Sequence, residues 1–357
     1  MADHLHLAAA LDGAGWHPAA WREPDARPAE LFTAGYWQDL AQEAERGLLD
    51  FVTIEDSLGA PADRTDRVRG RLDAVLVASR IAPHTRHLGF VPTAVVTHTE
   101  PFHISKAIAT LDYVSNGRAG LRVRVARRQA EADHFGRRQV PSREDLFDEA
   151  ADYVEVVRRL WDSWEDDAEI RDIASGRFVD RDKLHYIDFN GRFFSVKGPS
   201  ITPRPPQGQP PVAALAHVDV AYRLAERSTD IVFVTERDAP VAGPIVFADL
   251  VVFLDETEQA ARDRKARLDE VAGEEYTSDA EIFTGTPAGL ADRLLDWGTP
   301  GFRLRPGAIP HDLAAITRGL VPELRRRGLF RREYEAGTLR GLLGLERPAN
   351  RYRGVPA

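Results

Sequence analysis

Cysteine is absent from the 357 residues, which excludes disulfides, a thiolate nucleophile, an iron–sulfur cluster and cysteine-ligated zinc. Lysine is nearly absent. Lys106, Lys183, Lys197 and Lys265 are the only four, so arginine carries almost all the positive charge and a single arginine says little about function on its own. An excess of positive charge is also lacking: 47 basic against 56 acidic residues leave a net charge of −9. Such a chain offers no cationic field to a phosphate backbone or an anionic membrane, so neither nucleic acid nor membrane is expected as a partner. The longest apolar run, near Ile245 to Leu254, is interrupted by Asp249, and the start MADHLHLAAALDG has no basic leader region. Both features point to a cytoplasmic protein. Signatures of a nucleophile elbow, a P-loop, a zincin helix and a dinucleotide-binding turn are missing as well. What is present, 43% apolar and 29% charged residues of both signs, is the profile of a folded protein. We read one domain over residues 1–357, with residues 330–357 as a C-terminal tail.

Short β-branched runs alternate with stretches of helical period, the pattern of a parallel sheet built from βα units. The strand candidates are Leu5 to Ala10, Phe51 to Ile54, Leu88 to Val96, Gly120 to Val125, Val212 to Leu215, Ile231 to Val234, Val251 to Phe253 and Phe302 to Leu304. Helices are expected over Tyr36 to Arg46, Leu72 to Ile81, Pro101 to Val114 and Asp219 to Arg227, and after Ser142, where Asp145 completes a capping pattern. Asn190-Gly191 reads as a tight hairpin, and TPRPPQGQPP as a surface connector. Eight strands in such a series favour a closed α/β fold, a (β/α)8 TIM-like barrel. The series has one defect. About ten residues, Thr235 to Pro244, separate the sixth and seventh strands, too few for a crossover helix with its loops. The barrel is therefore expected to be shortened there, unless a strand is misplaced.

In a barrel the chemistry belongs to the carboxyl ends of the strands. The residues there include Glu55, Asp56 and Ser57, then Thr97, His98, Thr99 and Glu100, then Arg127, Arg128 and His134, and later His217, Asp219, Glu236, Asp255 and Arg305. His98, His103 and His134 are the candidate proton donors. Their spacing matches no short helical ligand pair, so no metal is expected. Arg122 and Arg124 share one strand face and, with Arg127 and Arg128, have the chemistry to clamp an anion. The alternative for them is a solvated face or an internal ion pair with Glu55 or Asp56.

Several stretches together resemble the bacterial luciferase-like flavin monooxygenases, in the branch of the nitrilotriacetate and dibenzothiophene-sulfone monooxygenases. They are AERGLLDFVTIEDSL, EPFHISKAIATLDYVSNGRAG, YVEVVRRLWDSWEDDA, FNGRFFSVKGP, GTPAGLADRLLDWG and VPELRRRGLFRREYEAGTLRGLLGL followed by RPANRY. The resemblance implies a barrel that pairs as a homodimer, or as a heterodimer with a homologue, and takes reduced FMN from a separate flavin reductase. It further implies that a flavin hydroperoxide passes one oxygen atom of O2 to a small organic substrate. Asp56, Thr93 and Thr97 fall at flavin-facing positions of the family, and Arg122, Arg124 and His217 are the further cofactor-binding candidates. Elsewhere the pattern departs from the family. Arg122, Val125 and Ala126 replace an Asn and a Thr-Ser pair, and Phe147 replaces a tyrosine. Val218 and Ala221 stand where a Ser-x-x-Gly phosphate cradle is usual. The chain is also short, around residues 235–244 and again around Gly273 to Phe283. These departures leave a second expectation open: a non-catalytic homologue, acting as partner subunit or as binder of another ligand, that has lost the phosphate site.

Overall fold

A computed structural model describes residues 4–59 and 64–354; residues 355–357 of the expected tail lie outside the described residues. Four strands open the chain, β1 (His6–Leu11), β2 (Phe51–Ile54), β3 (Gly89–Val95) and β4 (Leu121–Arg124), with helices α1 (Ala34–Arg46), α2 (Ala74–Ile81) and α3 (Pro101–Val114) between them. Then come α4 (Gln129–Asp133), the long α5 (Arg143–Asp162), and two small antiparallel pairs, β5 (Glu169–Asp172) with β6 (Arg177–Val179) and β7 (Phe189–Asn190) with β8 (Ser195–Val196). The series resumes with β9 (Val212–Ala216), α6 (Asp219–Ser228), β10 (Ile231–Val234) and β11 (Ile245–Leu254). It continues through α7 (Glu258–Ala272), β12 (Glu281–Gly285), α8 (Pro287–Trp297) and β13 (Gly301–Pro306). The chain then runs through α9 (His311–Ala315), a π-turn at Ile316–Leu320, α10 (Val321–Arg326) and α11 (Leu339–Leu342). No helix among the described residues is long and apolar enough to cross a membrane.

Local chemistry sets the helix ends. Thr33, Asp73, Ser142, Thr257 and Thr286 each accept an N-terminal backbone N–H through a side-chain oxygen, and Pro101 and Pro287 occupy first-turn positions where no N–H is needed. Gly273 and Gly298 end α7 and α8 at φ of 74° and 75°, a backbone conformation that favours glycine.

Eight strands close into a parallel ring in the order β1, β2, β3, β4, β9, β10, β11, β13 and back to β1. The chain is therefore a closed (β/α)8 barrel. Between the ring and its helices lies an apolar layer that includes Leu7, Val52, Phe90, Leu121, Val232 and Phe302. Inside, the amino-terminal end is filled by Ala8, Phe51, Val91, Phe233 and Phe247, and α11 seals it from below with Leu339 and Leu343.

The short connection is as expected: no helix lies between β10 and β11. The two still pair in parallel, with Ile231 opposite Ile245. A ten-residue loop, reaching at most about 33 Å, easily returns along a four-residue strand. Four readings need correction. The connector TPRPPQGQPP does not run over the surface: most of it is buried, with Arg204 bonded to Asp162 and Gln207 to Asp112. The seventh strand begins at Ile245 rather than Val251, and its outer half pairs with β12, an extra strand outside the ring that the sequence reading missed. The Asn190-Gly191 turn is longer than two residues, because Asn190 pairs with Ser195 and the reversal spans 191–194.

Candidate active site

Strand alternation places Thr53, Thr93, Arg122, Asp249, Arg303 and Arg305 inside the barrel above its phenylalanine floor, with Glu55 just beyond the end of β2. All are buried. Charges so deep require partners, and they have them. Arg303 donates from Nε to Asp249 Oδ1 at 2.7 Å and from Nη1 to Thr53 Oγ1 at 3.2 Å and Glu55 Oε1 at 3.3 Å. Arg305 reaches the same Asp249 at 3.0 Å and, through Nη1, Asp279 at 2.6 Å. Arg122 pairs with Glu55 and donates to Thr93 Oγ1 at 3.0 Å. The Arg303 guanidinium lies 4.0 Å above the Phe233 ring, so the ion layer rests on the apolar floor through a cation–π contact. Burial alone would push the Glu55 carboxyl up, but the Arg122 and Arg303 charges hold it down at about 2. Burial acts likewise on Asp279, and its bond to Arg305 brings it down to about 2.

Above this layer the mouth stays open. A cavity of about 610 Å3 sits there, within the size range of small-molecule sites. Its floor is Glu55, Arg122 and Arg305; its walls include Leu215, His217, Val218, Phe147 and Ala221. Arg124, Arg127, Arg128 and Arg143 line it too. Arg124 is engaged with the Asp56 carbonyl at 2.7 Å. Arg127, Arg128 and Arg143 have no carboxylate partner among the described residues. Arg143 opens α5, whose first turn also carries Glu144 and Asp145.

A second cavity of about 220 Å3 adjoins the first and shares Trp16 and Glu55 with it. The Arg305 guanidinium stacks 4.6 Å from the Trp16 ring and so fixes the shared wall.

Of the candidate cofactor residues, Arg122, Arg124 and His217 line the larger cavity, whereas Asp56, Thr93 and Thr97 do not. Asp56 accepts the N–H groups of Ser57 and Ala74, an anchor for the loop after β2, and burial raises its carboxyl. Thr93 is taken up by Arg122, and Thr97 Oγ1 by the Ala126 N–H at 3.0 Å. Arg122 makes the internal ion pair with Glu55 that was the alternative to an anion clamp, though its Nε remains buried without a partner. The three candidate histidines are not brought together, and none lines either cavity. His98 is buried at φ 72°, stacked on Phe135 with ring centroids 5.4 Å apart, while His103 on α3 and His134 at the end of α4 face solvent. Trp16, Asp249, Arg303 and Arg143 escaped the sequence reading as site residues. The Arg303-Leu304-Arg305 alternation, a twin of Arg122-Val123-Arg124, was the available signal.

A phosphorylated flavin can be tested against this geometry. The start of α6 offers no hydroxyl: Val218 caps it without a side-chain bond, Asp219 adds a negative charge in the first turn, and the buried Ala221 carries a Cβ. The donors in the lining are instead the guanidinium groups of Arg127, Arg128 and Arg143, which have no carboxylate partner among the described residues. The residues thus fit a dianionic phosphate through guanidinium groups rather than through a hydroxyl-and-glycine cradle.

Comparison with known proteins agrees with this architecture. The chain is 30% identical to the N-acetyl-S-(2-succino)cysteine monooxygenase of Bacillus subtilis, with 98% of each chain covered. That alignment extends over 432 positions, so the relative carries insertions that this chain lacks. It is 29% identical to nitrilotriacetate monooxygenase component A of Aminobacter aminovorans, covering 94% of this chain and 95% of that one. Among solved structures, a riboflavin lyase crystallised with modified FMN and riboflavin superposes with a TM-score of 0.84 at 23% identity, covering 98% of both chains. A family description, luciferase-like monooxygenase, matches residues 15–243. The chain belongs to the luciferase-like monooxygenase family.

Proposed function

We propose that the protein is the oxygenase component of a two-component, FMN-dependent monooxygenase. A separate reductase would supply the reduced flavin, and the barrels would pair with each other or with a homologue's. The observation that carries this reading is the 610 Å3 cavity at the carboxyl mouth of a barrel of this family, faced by three arginines that no carboxylate among the described residues neutralises. Arg127, Arg128 and Arg143 would hold the phosphate, and Arg122, in the floor of the cavity, would support the ring system from below. The bound flavin supplies the reaction with O2. The chain's own residues do the rest. The Glu55–Arg303–Asp249–Arg305 layer leaves no passage for water from beneath, and its fixed charges keep Arg122 and Trp16 in place.

The start of α6 favours the second reading, a homologue without flavin, since neither Val218 nor Ala221 assists a phosphate. An anaerobic titration with reduced FMN, followed by calorimetry, separates the two. Binding in the micromolar range supports the oxygenase; no binding at about 100 μM, weaker than about −5.5 kcal/mol, overturns it in favour of the homologue that binds something else.

A further inference from the structure

The second cavity has walls unlike those of the first. Trp16, Trp21, Trp37, Leu31, Phe32 and Val68 are among the residues that line it. The indole N–H groups are all spent on backbone carbonyls, Trp16 on Ala10 at 2.9 Å, Trp21 on Asp66 at 3.1 Å and Trp37 on Leu31 at 3.0 Å. The three rings therefore present only carbon to the space between them. Its charged groups are neutralised internally. Arg71 pairs with Asp12 at 2.9 Å, Arg67 with Glu274, and Glu55 with Arg122 and Arg303, while His17, whose ring burial keeps neutral, hydrogen-bonds Asp269 at 3.0 Å. Among the described residues of its lining no free charge is left over for an ionised ligand group, in contrast to the arginines of the neighbouring cavity.

Size narrows the occupant. An apolar cavity of about 150 Å3 takes up benzene, so 220 Å3 admits one ring with a short substituent and little more. We propose that this cavity is the substrate subsite, and that it takes a compact, uncharged single-ring group rather than a polycarboxylate. The Asp12–Arg71 pair lies beside it to hydrogen-bond a neutral polar substituent. The cavity touches the larger one at Trp16 and Glu55, which places the ring against the mouth where the flavin would sit. As a substrate assignment the proposal rests on the oxygenase reading; the binding of the ring does not.

The test uses the full-length protein and 4-fluorobenzyl alcohol, observed by fluorine NMR line broadening, with nitrilotriacetate as the anionic competitor. The wild type is expected to bind the alcohol saturably and to be indifferent to nitrilotriacetate. Phe32 is 54% exposed and Val68 40% exposed, so substitution at either leaves the core intact. Val68→Trp, which blocks the entrance, should weaken binding at least about tenfold, and Phe32→Ala, which removes one wall, about fivefold, with FMN affinity held within about twofold in both. Absence of saturable binding, unchanged binding in both variants, or displacement by nitrilotriacetate overturns the proposal. If the alcohol binds as expected and FMN does not bind at all, the subsite stands and the oxygenase reading falls. If FMN binds and the alcohol does not, the reverse holds.

Discussion

The two cavities lie on either side of one indole and one carboxylate, Trp16 and Glu55, yet they differ in how their charges are settled. Among the described residues, three arginines of the larger have no carboxylate partner, whereas Arg67 and Arg71 of the smaller are both paired and tryptophan faces form part of the wall. Unpaired guanidinium groups at a surface cavity are costly only where they are desolvated, and here they remain exposed until an anion arrives. The smaller cavity has no such reserve and gains affinity chiefly by removing apolar surface from water, with the Asp12–Arg71 pair adding a hydrogen bond. On the proposed reading, pairing and not composition separates an anion site from a neutral site, since arginine is common in both.

The largest effect expected from disturbing this arrangement comes from the carboxylate the cavities share. Glu55→Gln leaves Arg122 and part of Arg303 without a counter-charge, and urea unfolding should find the variant less stable by about 3 to 5 kcal/mol at neutral pH. The pH dependence has a definite sign. The folded carboxyl titrates at about 2, below its ordinary value of 4.5, so its contribution is complete above that ordinary value and is lost as the pH falls from there toward 2. The wild type should give up about 2 kcal/mol of its advantage over Glu55→Gln by about pH 3. A constant gap across that range would mean that Glu55 is not held ionised.

Next in size is the double variant Arg127→Ala with Arg128→Ala. FMN binding should weaken by about 1.5 to 3 kcal/mol, while the neutral ring in the smaller cavity is unaffected. Equal losses for both ligands would erase the distinction between the cavities. Smaller still is the gain from rebuilding the start of α6. Val218→Ser with Ala221→Gly returns a hydroxyl and removes a Cβ, and FMN affinity should rise by about 0.5 to 1.5 kcal/mol. No gain would place the phosphate wholly against the arginines.

Much of the barrel was legible because its strands are short and uniformly apolar on their outer face. Phe51–Ile54, Ile231–Val234 and the helix Pro101–Val114 match the sequence reading end to end. β12 was not legible. Its Glu281–Gly285 run is mostly half-buried and exists as a strand only because the outer half of β11 extends beyond the ring. The polar break at Asp249 also misled. It hid the first half of β11, although Asp249 faces inward and is the anion on which Arg303 and Arg305 converge. Pairings across 54 and 67 residues leave no periodic trace, so the arginine alternation could suggest a charged face but not its partners. The histidines stand out in the sequence for their chemistry and their nearness to strand ends. Packing decided otherwise, turning His98 onto Phe135 and leaving His103 and His134 in solvent.

The central claim is that guanidinium groups, not a helix cradle, anchor an anionic tail at the mouth of the barrel. Comparing the affinities of reduced FMN and reduced riboflavin for the wild-type protein tests it most directly, because the two ligands differ only in the phosphate. The account predicts that FMN binds at least about tenfold more tightly, a difference of about 1.4 kcal/mol or more, and that the preference shrinks as salt is added. Equal affinities for the two flavins would contradict it.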